Sequence, residues 1–194
     1  MASRENILKA VKDSQPDLIS LPDAYAFTPD IKNEERFRSV LESIGGKAYT
    51  LDKVENLFDQ VSKLFPDAKR IVSTIASVEG YLSNNSQELK HHSFHDVDVV
   101  IIEAQIGVAE NAAVWITEDD SKIRVLPFIP EHLVVLLSTS HIVANMHEAY
   151  KKIGNADYGF GVFIAGPSKT ADIEQSLVLG AHGPKSMSLF LLDN

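Results

Sequence analysis

Within residues 97–102 and again within residues 133–137 the chain is apolar at consecutive positions: Val99-Val100-Ile101-Ile102, then Leu133-Val134-Val135-Leu136-Leu137. A strand places successive side chains on opposite faces, so an unbroken apolar run demands cover on both sides of the sheet. Further β-branched or apolar segments lie at residues 48–50, 71–74, 112–117, 123–126, 161–165 and 187–192. Helical patterns fall between them. Residues 3–12 place Ile7, Leu8 and Val11 at helical spacing behind a Ser3 cap and read as a short docked helix. Thr28 with Pro29 opens a second helix whose apolar face is Phe37, Val40, Leu41 and Ile44, stopped by Gly45-Gly46. Asp52 and Glu55 form a capping box ahead of the stripe Val54, Leu57, Phe58, Val61, Leu64, Phe65, which Pro66 closes. Residues 140–153 read as a further helix ending at Gly154.

Helices alternating with doubly buried strands give an α/β fold with a mixed, largely parallel sheet covered by helices. The close spacing of strands between Val97 and Leu137 supplies the antiparallel part. Residues 1–65 form an N-terminal helical segment packing on an α/β unit of residues 66–194, with no linker evident after about residue 65.

Composition narrows the chemistry. The chain has no cysteine, which removes disulfides, thiol nucleophiles and any cysteine-held iron-sulfur cluster in this polypeptide. A net charge of -9 over 194 residues opposes a broad nucleic-acid footprint. No apolar run reaches the ~20 residues of a membrane span, and the polar start does not resemble a signal sequence, so a cytoplasmic protein is expected.

The most singular stretch is Gly166-Pro167-Ser168-Lys169-Thr170-Ala171-Asp172-Ile173-Glu174, followed by Leu179-Gly180-Ala181-His182-Gly183-Pro184. Pro167 stands where a phosphate-binding loop needs lysine, and Thr170 replaces the last glycine of a nucleophile elbow. One reading leads Ser168, Lys169 and Thr170 into a helical turn beginning near Thr170 or Asp172, at the end of the strand at 161–165. Its free N–H groups, with the Lys169 charge, attract a carboxylate or phosphate. Asp172 and Glu174 then suit a hydroxyl contact or proton transfer, and His182 a hydrogen bond or proton. The alternative makes Thr170 and Asp172 helix caps and Gly180, Gly183 and Pro184 a return turn. Glu110-Asn111 interrupts another apolar stretch, either as a hairpin turn or as a pair facing a pocket. His91, His92 and His95 have the look of a metal cluster without a clear fourth ligand, and no metal site is assigned.

The two motifs of the Gly166 stretch, with residues 3–11, 96–111 and 126–143 in matching order, resemble the C-terminal signature of the LUD domain, the lactate utilisation protein C (LutC/YkgG) family. The resemblance covers nearly the whole chain. It implies a NagB/RpiA/CoA-transferase-like fold and a place in a cytosolic system oxidising L-lactate to pyruvate with iron-sulfur oxidoreductase partners. It carries over Gly166, Pro167, Ser168, Thr170, Ala171, Asp172, Ile173, Glu174, His182, Gly183 and Pro184, with Lys169 where the family tends to have arginine. Of the family's Glu-Thr-Gly-Thr turn only Glu110 is kept, since Asn111, Ala112 and Ala113 replace the rest. The leading expectation is therefore a small anionic ligand, with no cofactor named, held between Gly166, Ser168, Lys169, Thr170 and Gly183 on one side and Glu110-Asn111 on the other. Asp172, Glu174 and His182 are the candidate acid-base groups. A stand-alone transferase or ligase using Glu110 as nucleophile or base, and a non-catalytic scaffold, are the alternatives.

Overall fold

The computed structural model describes residues 2–17, 19–20, 32–82, 91–170 and 178–193. The consecutive apolar runs become the centre of a five-stranded, wholly parallel sheet. Its members are β1 (Lys47–Leu51), β2 (Ile71–Ser73), β3 (Val99–Glu103), β6 (His132–Ser138) and β11 (Ser186–Leu192), in the order β1-β11-β6-β3-β2. A second, mixed sheet contains β4 (Ile106–Val108), β5 (Ala113–Thr117), β7 (Ile142–Val143) and β8 (Gly161–Ile164), in the order β7-β4-β5-β8. A two-stranded pair, β9 (Lys169–Thr170) with β10 (Val178–Leu179), stands apart. The helices are α1 (Ala2–Asp13), α2 (Asn33–Ser43), α3 (Leu57–Leu64), α4 (Glu118–Ser121) and α5 (Met146–Ile153).

The period of two along the strands explains how both faces are buried. Val100, Ile102, Leu133, Val135, Leu137, Leu189 and Leu191 face one core with Phe37 and Leu41 of α2. Val99, Ile101, Val134, Leu136 and Phe190 face the other, with Leu57 and Val61 of α3. Val114, Ile116 and Ile142 of the second sheet share the first core, so that face is covered by α2 and a sheet together.

The expected single mixed sheet is thus two sheets. Among the described residues, antiparallel pairing is confined to β4 with β5 and β5 with β8, and to the β9-β10 pair. The cause is continuity: β3 runs through Ala104-Gln105 into β4, β6 runs through residues 139–141 into β7, and β4 and β7 pair in parallel.

Local corrections have local reasons. Residues 123–126, expected as a strand, are turns; Lys122 at φ 61 and ψ -38 forms a γ-turn closed by Ile123 N donating to Ser121 O at 2.6 Å. Ile123 and Leu126 are nevertheless buried, which is why their sequence reads as a strand. The helix expected at residues 140–153 starts only at Met146, because Asn145 caps it by accepting from Glu148 N at 3.0 Å. The Asp52 box is replaced by a short 3₁₀ turn, Val54–Asn56, with no side-chain cap. α1 forms as the spacing of Ile7, Leu8 and Val11 requires, yet residues 3–17 are all exposed. Among the described residues, no helix is long and apolar enough to cross a membrane.

Candidate functional site

The Gly166 loop leaves the end of β8. Gly166 turns at φ 70, where a Cβ would sit 3.1 Å from Ile44 side-chain atoms at the end of α2, so the turn needs both the backbone freedom and the missing side chain of glycine. Ser168 N donates to Pro184 O at 2.9 Å, and Ser168 O accepts from Gly180 N at 3.1 Å. Lys169 and Thr170 then pair as β9 with Leu179 and Val178. Thr170 itself is therefore part of a strand pair and not the start of a helical turn, while the alternative start near Asp172 lies outside the described residues; the Ser168 amide is already satisfied within the loop. Asp172 and Glu174 lie outside the described residues. The Lys169 ammonium nitrogen lies 3.4 Å from where a Gly45 Cβ would stand, alongside the turn that leads into β1.

The register Val114↔Ile164 brings the turn at residues 109–112 to the same end of the second sheet as the Gly166 loop. Both polar residues of that turn have local tasks. Glu110 Oε1 accepts from Met146 N at 2.9 Å, at the start of α5, and Asn111 Oδ1 accepts from Ala113 N at 3.0 Å beside Ala112 at φ 54. The turn reading of Asn111 is the one that its hydrogen bond supports. His182 is exposed, while a Cβ on Gly183 would stand 3.2 Å from Ser168 Cβ.

The second half of the loop lines a cleft of about 720 Å³ at the amino ends of four parallel strands. Gly180, Gly183 and Lys185 face Lys69 and Arg70 before β2, His95 to Asp98 before β3, and Ile129 to Glu131 before β6. Its volume is that of a small-molecule site. Ligand crevices of open α/β sheets ordinarily lie at the carboxyl ends of the strands. Here the carboxyl ends of the central pair, β3 and β6, continue into β4 and β7, and the junction is tightly filled: a Cβ on Gly107 would come 2.5 Å from Leu137 Cδ2. The loop does follow a strand's carboxyl end, but that strand is β8 of the second sheet.

The cleft is built from ionisable groups held in pairs. Lys185 Nζ donates to Glu131 Oε1 at 2.6 Å, a contact that holds the Glu131 carboxyl below the usual carboxylate range. Arg70 pairs with Asp96, lowering its pKa, and donates to Ser93 O at 2.6 Å. Asp98 Oδ2 accepts from Lys69 N and Arg70 N at 2.7 and 2.8 Å. Asp98 N in turn donates to Arg70 O at 3.0 Å, and Asp98 O accepts from His132 N at 2.9 Å.

His132 stands just behind, in a notch of about 300 Å³ that shares Asp98 and Glu131 with the cleft. Its ring stacks on Phe65 at 4.4 Å, and Nδ1 is 2.8 Å from Ser186 Oγ. Burial lowers its pKa, against the opposing pull of Glu131. Of these amino-end residues the sequence singles out only Gly180 and Gly183, as turn glycines, and His95, in the histidine cluster. The signal was present: Lys69-Arg70, Asp96 with Asp98, Glu131 and Lys185 stand just before parallel strands, and His132 opens β6. Among the described residues, no group of three or more His, Asp or Glu is placed to hold a metal ion.

Comparison with known proteins gives a consistent picture. Residues 73–192 match the family described as LUD domain. A protein named Lactate utilization protein C from Shouchella clausii is 34% identical over 103 residues, covering 50% of this chain and 44% of the relative. Lactate utilization protein C 1 from Bacillus mycoides is 29% identical over 119 residues, covering 58% and 50% respectively. The chain spans about half the length of the curated relatives it matches. The crystal structure of a DUF162 family protein from Deinococcus radiodurans superposes with a TM-score of 0.60 at 15% identity, over 82% of this chain and 96% of that one, and shares the fold.

Proposed function

The chain belongs to the LUD domain family, and we propose that it is a LutC-like component of an L-lactate utilisation system, working in the cytoplasm with iron-sulfur partner proteins. Its part is to bind a small anionic ligand, a carboxylate or phosphate, in the amino-end cleft. Support comes from the names of the relatives and from one feature of the structure. The Gly180-Lys185 segment of the loop meets Lys69 and Arg70 across a cavity of suitable size.

The cations of this cleft can be recruited. Lys185 and Arg70 hold Glu131 and Asp96 through exposed ion pairs, which are worth little in water. A ligand carboxylate can take the place of either protein carboxylate, and Lys69 adds a third positive charge at the rim. Oxidation of lactate to pyruvate removes two electrons and two protons, one hydrogen from the carbinol carbon and one from its hydroxyl. The chain has no cysteine to hold a cluster, so a redox centre would belong to a small cofactor or to a partner chain, and the partner is the route proposed. Glu110, committed to the start of α5, supports the transferase alternative poorly.

Titration calorimetry with L-lactate, pyruvate and inorganic phosphate tests the binding claim. At least one of them should bind the wild type, and Lys69→Ala and Lys185→Ala should each weaken it about tenfold, ~1.4 kcal/mol, without loss of fold. The cleft assignment fails if both variants bind as the wild type does, or if none of the three anions binds. Lactate-dependent electron transfer that needs the iron-sulfur partners and this chain together tests the system-level claim.

A further inference from the structure

The cleft and the notch behind it meet at one carboxylate oxygen. Glu131 Oε1 lies 2.6 Å from Lys185 Nζ and 4.0 Å from His132 Nε2, so a single acceptor faces two nitrogens and the nearer one holds it. The Lys185 and Glu131 side chains are 57% and 44% exposed, and water or a guest can compete for their pair. His132 is 26% exposed, with its ring fixed by the Phe65 stack and by Ser186.

The ring is surrounded by charges of both signs. Glu131 precedes it in the chain, Asp98 approaches from the start of β3, Asp67 lines the notch after α3, and Lys185 stands before β11. Burial and the Lys185 charge oppose a proton on the ring, whereas Glu131 and Asp98 favour one. A protonated ring has an acceptor on its Nδ1 side in Ser186 Oγ at 2.8 Å, and on its Nε2 side in Glu131 once Lys185 releases it. His95 lines the cleft itself, next to Asp96.

Resting on the reading that an anion occupies the cleft, we propose that the anion brings a proton with it: the guest takes Lys185, the freed Glu131 carboxylate turns to His132 Nε2, and His132 takes up a proton from solvent. Three changes act on the ring in the same direction. The Lys185 charge is neutralised, Glu131 comes closer, and the guest adds a negative charge nearby. Without the proton, capture of Lys185 would leave Glu131 with its like-charged neighbour Asp98. His132 is a positioning residue here, acting on the guest through Glu131 and Lys185. By reciprocity the proton strengthens anion binding by the factor by which the anion strengthens proton binding, so the cleft holds its guest more tightly as pH falls toward 6 and releases it as pH rises.

Calorimetry on the full chain with L-lactate, pyruvate or inorganic phosphate, whichever binds, in two buffers of different ionisation enthalpy counts the protons. At about pH 6 the wild type should take up about half a proton more than His132→Asn, a difference that cancels the anion's own ionisation. From about pH 8 to about pH 6 its affinity should gain about threefold over that of His132→Asn. In the ligand-free protein, removing the cation imitates its capture, so the NMR signals of the His132 ring should titrate at higher pH in Lys185→Gln than in the wild type. A His132 titration unmoved by Lys185→Gln, or equal proton counts in wild type and His132→Asn, overturns the coupling and leaves the cleft reading standing. Failure of all three anions to bind at either pH overturns both.

Discussion

The two ends of the parallel sheet are built from the same five strands and behave oppositely. At the carboxyl end the central strands do not stop; they run on into β4 and β7, and Phe37, Leu137 and Ile142 close around Gly107 with no room for a methyl group. At the amino end each of four strands begins beside a charged residue, and these residues surround an open cleft. A parallel sheet offers a crevice wherever neighbouring connections diverge. This chain uses up the usual end by extending the strands into a second sheet, and the ionisable groups gather at the other.

That contrast predicts different responses to substitution. Phe37→Ala, at a side chain with no exposure, should cost about 3–5 kcal/mol in urea unfolding, and the folded fraction should keep its affinity for a cleft ligand. A Phe37→Ala protein of normal stability would show that the carboxyl end is less tightly closed than described. Glu110→Ala should cost about 1 kcal/mol through loss of the acceptor at the start of α5, and Glu110→Gln should recover most of it. Equal losses for both substitutions would point to the charge rather than the hydrogen bond.

The smallest effect concerns His132 at the amino end. Its folded pKa lies below the ordinary value of about 6.5, so the unfolded chain takes up the proton more readily. Its neutral form therefore favours folding above about pH 6.5, and that advantage is lost as pH falls from there through the lower folded value. Urea midpoints should drop more between about pH 7.5 and about pH 5.5 in the wild type than in His132→Asn. An identical drop in both would remove His132 from the acid response.

The same contrast marks what the sequence revealed. Strands β3, β6 and β11 were legible because burial on both faces leaves a consecutive apolar signature that few other environments produce. β4 and β7 were not, because strands of three and two residues owe their existence to each other and not to propensity. Gly183 was legible as a turn glycine. Lys69, Arg70, Asp98 and Glu131 were not, since each looks like an ordinary polar residue before a strand until four strands are set side by side. The general rule for open α/β sheets directed attention to the carboxyl end of the strand at 161–165, whereas the cleft of about 720 Å³ lies at the amino ends of the parallel strands.

Asp98 gives that rim its character. Its carboxylate holds two amides that lead into β2, its own backbone starts β3, and its carbonyl receives the first amide of β6. One residue thus acts as a common hinge pin for three neighbours, and the mouth of the cleft cannot widen one strand at a time. The outline of that rim is thus set by one shared anchorage and not by each strand separately.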